Sequence, residues 1–158
     1  MKHSLKMGFS FGLNSGIITT LGLIVGLNSG TNSRIAVIGG ILIIAIADAF
    51  SDSLGIHISE ESENKHTNAE VWESTISTFL TKFVIATTFI VPVLLLPLAQ
   101  AIAASVAWGL SLLGIFSYFI ARDKGIKPWG IITEHLVIAA AVIIITNYVG
   151  AFIGAMFS

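Results

Sequence analysis

There is no cysteine in these 158 residues, which excludes disulfides, thiolate metal sites and thiol nucleophiles. Charge is also scarce. Asp, Glu, Lys and Arg together make up 11 %, against about 25 % in a typical soluble domain. No basic cluster is present of the kind nucleic acid requires, so no nucleic-acid partner is expected, and a net charge of −1 favours no partner of either sign. The chain has no H-E-x-x-H motif and no Ser/His arrangement suited to nucleophilic catalysis. No catalytic residue and no tightly bound cofactor are expected, and the chain does not read as an enzyme.

Apolar side chains fill the space that charge leaves. Hydrophobic residues are 54 % of the chain and the mean hydropathy is +0.90. This is the composition of an all-α, polytopic membrane protein whose main surroundings are a lipid bilayer. A bilayer core takes about 20 mostly apolar residues per helix, and five windows meet that: residues 8–27, 35–56, 77–98, 102–121 and 130–152. The whole of 1–158 reads as one transmembrane domain. The opening "MKHSLKMGFSFGLNSG" lacks a clear small-residue cleavage site after a short apolar core, so it reads as the start of the first span and not as a cleaved signal. The longest connection is acidic and runs over residues 57–74.

Lysine and arginine placement predicts orientation. With the N-terminus inside, the inner side holds Lys2, Lys6, Lys65, Lys82, Arg122, Lys124 and Lys127, and the outer side holds only Arg34. That bias predicts an N-in, C-out protein. Trp72 and Trp129 fall near the inner ends of spans, where interfacial aromatics belong. Thr67-Asn68-Ala69-Glu70 has the spacing of a capping box, so the third helix should begin in the cytosol. Pro92 and Pro97 should kink or end it near the outer face.

Two acids stand out. Thirteen uncharged residues, "IAVIGGILIIAIA", lead directly into "DAFSDSLGIHISEESE", which places Asp48 and Asp52 one helical turn apart inside an apolar span. An aspartate at a helix centre costs roughly 2.5–3.5 kcal/mol on the insertion scale, so the pair costs about 5–7. The Ile, Leu, Val and Phe residues of the same span return roughly 3–7 kcal/mol. Insertion is near break-even if the acids face lipid, which favours placing them against protein or water. Intramembrane ionisable residues are functional candidates for that reason.

Depth supplies candidate neighbours. Ser15 lies seven residues into the first span and Asp48 eight residues before the end of the antiparallel second. At about 1.5 Å per residue both sit roughly 10–12 Å from the inner surface. Asn14, Ser15 and Asp48 could therefore meet, with Asp52 on the Asp48 face one turn nearer the cytosol. Seven of the nine acidic residues fall in the stretch from Asp48 to Glu73: Asp48, Asp52, Glu60, Glu61, Glu63, Glu70 and Glu73. His57 and His66 lie among them. Carboxylate and hydroxyl oxygens suit hard divalent cations, and imidazole extends the range toward Fe²⁺, Mn²⁺ and Zn²⁺. The candidate metal ligands are Asp48, Asp52, Asn14, Ser15, His57, Glu60, Glu61 and Glu63, forming a ladder of oxygens that rises from an acidic mouth. The stretch from Glu60 to Glu73 also fits an ordinary solvated loop.

Other polar groups read more plainly. Glu134-His135 should be interfacial, and Asn147 should bond a neighbouring helix. Glycines recur at G-x-x-x-G spacing at 12/16, 22/26 and 150/154, a pattern that allows close helix packing. Gly12 and Gly16 are expected to pack first spans together across a homodimer.

Several stretches together resemble the vacuolar iron transporter family. "FGLNSGIITTLGLIVGL" is similar to its first span and "IAIADAFSDSLGIHIS" to its second-span pattern Ala-Asp-Ala-x-Ser-Met-x-x-Gly-Glu-Tyr-x-Ser. "STFLTKFVIATTFIVPVLLLPL" resembles its third span and "LVIAAAVIIITNYVGAFIG" its last. Asn14, Gly16, Asp48, Ser51, Gly55 and Ser59 match the pattern. Ser15 stands where the family has Asp, Asp52 where it has Met, and Ile56, followed by His57, where it has Glu.

The resemblance implies a dimer that exports Fe²⁺, and sometimes Mn²⁺, from the cytosol in exchange for protons through a pathway between protomers. It implies an integral, multi-pass location: the cell membrane in a prokaryote, a vacuole-type organelle otherwise. The short acidic connection leaves no room for the family's larger cytosolic metal-binding domain. A non-transporting membrane scaffold or regulator with a drifted site is the alternative. An intramembrane aspartyl hydrolase is disfavoured, because acids one turn apart on one helix do not face each other across a scissile bond.

Overall fold

In the computed structural model, residues 3–63 and 65–157 are described; Lys2 lies outside them. The described residues form six helices and no strand. They are α1 (His3–Thr31), α2 (Arg34–Ser62), α3 (Asn68–Thr88), α4 (Ile90–Leu95), α5 (Leu98–Asp123) and α6 (Pro128–Phe157). With α3 and α4 counted as one crossing, five helical units are long and apolar enough to span a membrane. Each of the five windows expected from the sequence falls within these units, apart from the last residues of the third.

Local chemistry explains the boundaries. Ser33 caps α2 by accepting from the Ala36 amide. The capping box at α3 is formed in both directions: the Thr67 hydroxyl accepts from the Glu70 amide, and the Glu70 carboxylate accepts from the Thr67 amide at 2.9 Å. The third crossing breaks at Phe89 because Pro92 has no amide proton and its ring crowds the carbonyl four residues back, that of Thr88. Pro97 then occupies the N-cap of α5. The acidic connection is mostly helix: α2 continues to Ser62 and α3 starts at Asn68.

α1 packs against α2, α3, α5 and α6. Its Leu13, Ile17, Leu21 and Ile24 join Val37, Ile41, Phe89, Val93 and Leu113 in the apolar core. Two small-residue seams set how close its neighbours come. Along the first, a Cβ on Gly12 would lie 2.6 Å from the Thr78 carbonyl oxygen, and one on Gly16 would lie 3.3 Å from that of Lys82. Along the second, a Cβ on Gly154 would lie 2.7 Å from the Gly30 carbonyl oxygen, and Gly26 faces Gly150 in the same way. The sequence expectation for Gly12 and Gly16 is thereby corrected: they bring α3 against α1 within one protomer and are not free to pack a second copy. Asn147 accepts a hydrogen bond from Ser29 across the α1–α6 seam, and Lys6 pairs with Asp123 between α1 and the end of α5.

Candidate metal-ion site

The α1–α3 seam positions the polar centre. On α3 the residues turned toward α1 repeat every fourth position: Ser74, Thr78, Lys82 and Ala86, all buried. Ser74 and Thr78 satisfy their hydroxyls on carbonyls of their own helix. Lys82 has no such outlet, and its side chain is 1 % exposed. Its ammonium lies 2.5 Å from Asp48 Oδ2 and 2.5 Å from Asp52 Oδ2, and it donates to Ser15 Oγ at 2.9 Å. Ser15 in turn donates to Asp52 Oδ2 at 2.6 Å. Gly16 permits the close approach of α1 that brings Ser15 within reach. The i, i+4 spacing on α2 aims both carboxylates at one point.

Lys82 corrects a second expectation. It is not a charge at the inner membrane surface but the counterion of the two aspartates, because an unpaired ammonium at this depth is far costlier than a paired one. The inner-side tally therefore loses one member. The signal was in the sequence: Lys82 lies well inside the window 77–98, and an ionisable residue within a span merits the same reading that Asp48 and Asp52 received.

The Asp48 and Asp52 side chains keep 29 % and 21 % of their surface while Lys82 keeps almost none. Asp48 Oδ2 touches the ammonium but makes no aligned hydrogen bond, and Asn14 Oδ1, one residue from Ser15, is buried without a hydrogen-bond partner. Two carboxylates and one ammonium leave a formal charge of −1. Three oxygens converging on one point form the kind of cage a hard cation occupies, here filled by the protein's own ammonium.

The remaining candidates lie elsewhere. His57 faces α3, with Nδ1 2.9 Å from Thr75 Oγ1 and its ring edge-on to Trp72. The Thr75 hydroxyl also donates to the Val71 carbonyl. His57 also lines a cavity of about 640 Å³ between α2 and α3, together with Phe50, Leu54, Ile76, Phe79 and Leu80. Glu60 is buried, with Oε2 3.5 Å from His66 Nε2. Glu61 and Glu63 are exposed, and Glu63 lies 3.7 Å from Lys65. Among the described residues no three His, Asp or Glu gather as a metal centre, so the eight candidates do not form one continuous ladder. Ser15, Asp48 and Asp52 meet at Lys82; His57 and the glutamates do not join them. His135, by contrast, binds Ser117 at 2.8 Å on α5 while Glu134 is exposed.

The model of the VIT family matches residues 9–71. Over that stretch the chain is similar to the vacuolar iron transporter family. No curated protein and no solved structure matches the chain. The matched stretch covers the first two crossings and the start of the third, so it contains Ser15, Asp48 and Asp52 but not Lys82. Five helical units long and apolar enough to cross a membrane support an integral, multi-pass membrane protein, and the similarity to that family suggests membrane metal-ion transport in general.

Proposed function

We propose that the protein carries divalent cations of the Fe²⁺ or Mn²⁺ type out of the cytosol, coupled to protons, as an N-in, C-out homodimer. Asp48 and Asp52 are the binding carboxylates, Ser15 and Asn14 complete the oxygen set, and Glu60, Glu61, Glu63 and His57 lie on the approach from the acidic connection. The observation that carries this reading is the convergence of Asp48 Oδ2, Asp52 Oδ2 and Ser15 Oγ on one cationic centre between α1 and α2. Oxygen donors in this arrangement match hard or borderline divalent ions. The partial exposure of both acids leaves them a route of approach.

One observation favours a second reading. The pairing of both acids with Lys82 is also what a structural ion cluster in a non-transporting scaffold would show. Uptake of Mn²⁺ and Fe²⁺ into liposomes by the parent and by Asp48→Asn separates the two. The amide keeps the size of the side chain while removing its charge, so a steep fall in uptake by a folded variant supports transport. Uptake equal to the parent's removes the carboxylates from the pathway and leaves the scaffold reading.

A further inference from the structure

We infer that Lys82 is a tethered competitor for the transported ion: its ammonium occupies the cation position of the site, and a divalent ion binds only by displacing it. The inference rests on the transport reading above and adds a residue that the family match does not reach. Three observations carry it. The ammonium is surrounded by three oxygens at 2.5, 2.5 and 2.9 Å, donors of the kind a hard cation takes. It arrives from α3, while the oxygens come from α1 and α2, so it can withdraw without dismantling the helix pair that holds them. The carboxylate side chains keep part of their surface, whereas that of Lys82 is sealed.

Charge decides that the two cations exclude one another. With the ammonium in place the cluster carries −1, and a divalent ion added beside it would make +1 in a poorly solvated site. With the ammonium withdrawn the carboxylates and the metal sum to zero. At contact distances in a medium less polarisable than water, like charges repel too strongly to share one cage. The flexible four-carbon stem of lysine permits the withdrawal. The ammonium thus sets how tightly the ion is held, and its return helps to expel the ion, so the carboxylate pair does not become a trap.

Lys82→Met removes the charge while keeping an unbranched chain of similar length. Mn²⁺ binding to the purified protein, followed by calorimetric titration, should tighten by about tenfold or more in this variant, because the internal cation no longer competes. Lys82→Arg, which keeps the charge, should bind no more tightly than the parent. In liposomes the Met variant should load Mn²⁺ but turn over more slowly. A purely structural lysine predicts the opposite, a loss of binding together with stability. If Lys82→Met folds and binds Mn²⁺ no tighter than the parent, the inference is wrong. If it does not fold, Asp48→Asn alone is compared with Asp48→Asn plus Lys82→Met; equal Mn²⁺ affinity of these two also overturns it. Failure of the transport reading shows separately, as a parent that moves neither Mn²⁺ nor Fe²⁺ into liposomes.

Discussion

Replacing Asp48 and Asp52 by asparagine, singly and together, tests how the buried charges depend on one another. In the native cluster one ammonium serves two carboxylates one turn apart. Removing either acid leaves Lys82 with a partner and relieves the repulsion between the carboxylates. Each single change should therefore cost no more than about 1–2 kcal/mol, near the low end for a charged hydrogen bond, since both side chains are partly open to solvent. The double change is different in kind. Lys82, 1 % exposed, keeps only Ser15, and a buried charge stripped of its partners costs about 3–5 kcal/mol. With each single effect at about 1 kcal/mol, the excess over their sum should be roughly 1–3 kcal/mol, in the range found for residues that share one network. Thermal unfolding in detergent reads this as a drop of about 6–20 °C for the double variant, taking 2–4 °C per kcal/mol for a chain of this size. Adding Lys82→Met to the double variant should recover most of the loss. A double variant as stable as its weaker single parent would refute the pairing.

Single cysteines test the orientation: in intact cells a label from outside should reach Phe157→Cys and not Lys65→Cys, both exposed positions, and the reverse pattern would invert the assignment. Gly154→Leu should wedge α6 away from α1, because a Cβ there already comes within 2.7 Å of the Gly30 carbonyl oxygen; a loss of about 1–3 kcal/mol is expected from overpacking, whereas the same change at Gly114, which has open space around it, should cost no more than the ordinary surface effect.

The fold was legible where one physical rule acted alone. Hydrophobic length marked the crossings, Thr67 and Glu70 marked the start of α3, Pro92 marked its break, and the glycine spacings marked close packing. What the glycines packed against was not legible, because G-x-x-x-G spacing is the same whether the partner helix lies in one protomer or two. Half of the site was legible too. Depth counting brought Ser15 toward the second span, although it bonds Asp52 and not Asp48. Lys82 was missed because a rule that assigns lysines to membrane surfaces leaves no place for one that serves as an internal counterion. His57 and Glu60 could not be placed from spacing, since their helix continues beyond the bilayer and its rotation there is set by contacts with Thr75 and His66.

The burial gradient among the helices bears on how the protein is made. α1 has the lowest hydropathy of the five crossings and half of its most apolar window is covered by protein, whereas α6 has the highest and only 11 % is covered. α1 is thus the helix with the weakest claim on lipid, yet it precedes in the chain every partner that later shields its serines and glycines. In chain order α1 comes before α3, which brings Lys82, and before α6, which closes the glycine seam. Assembly is therefore committed late. Truncation after α5 should leave α1 exposed to quality control, although the last helix contributes no residue to the charged cluster.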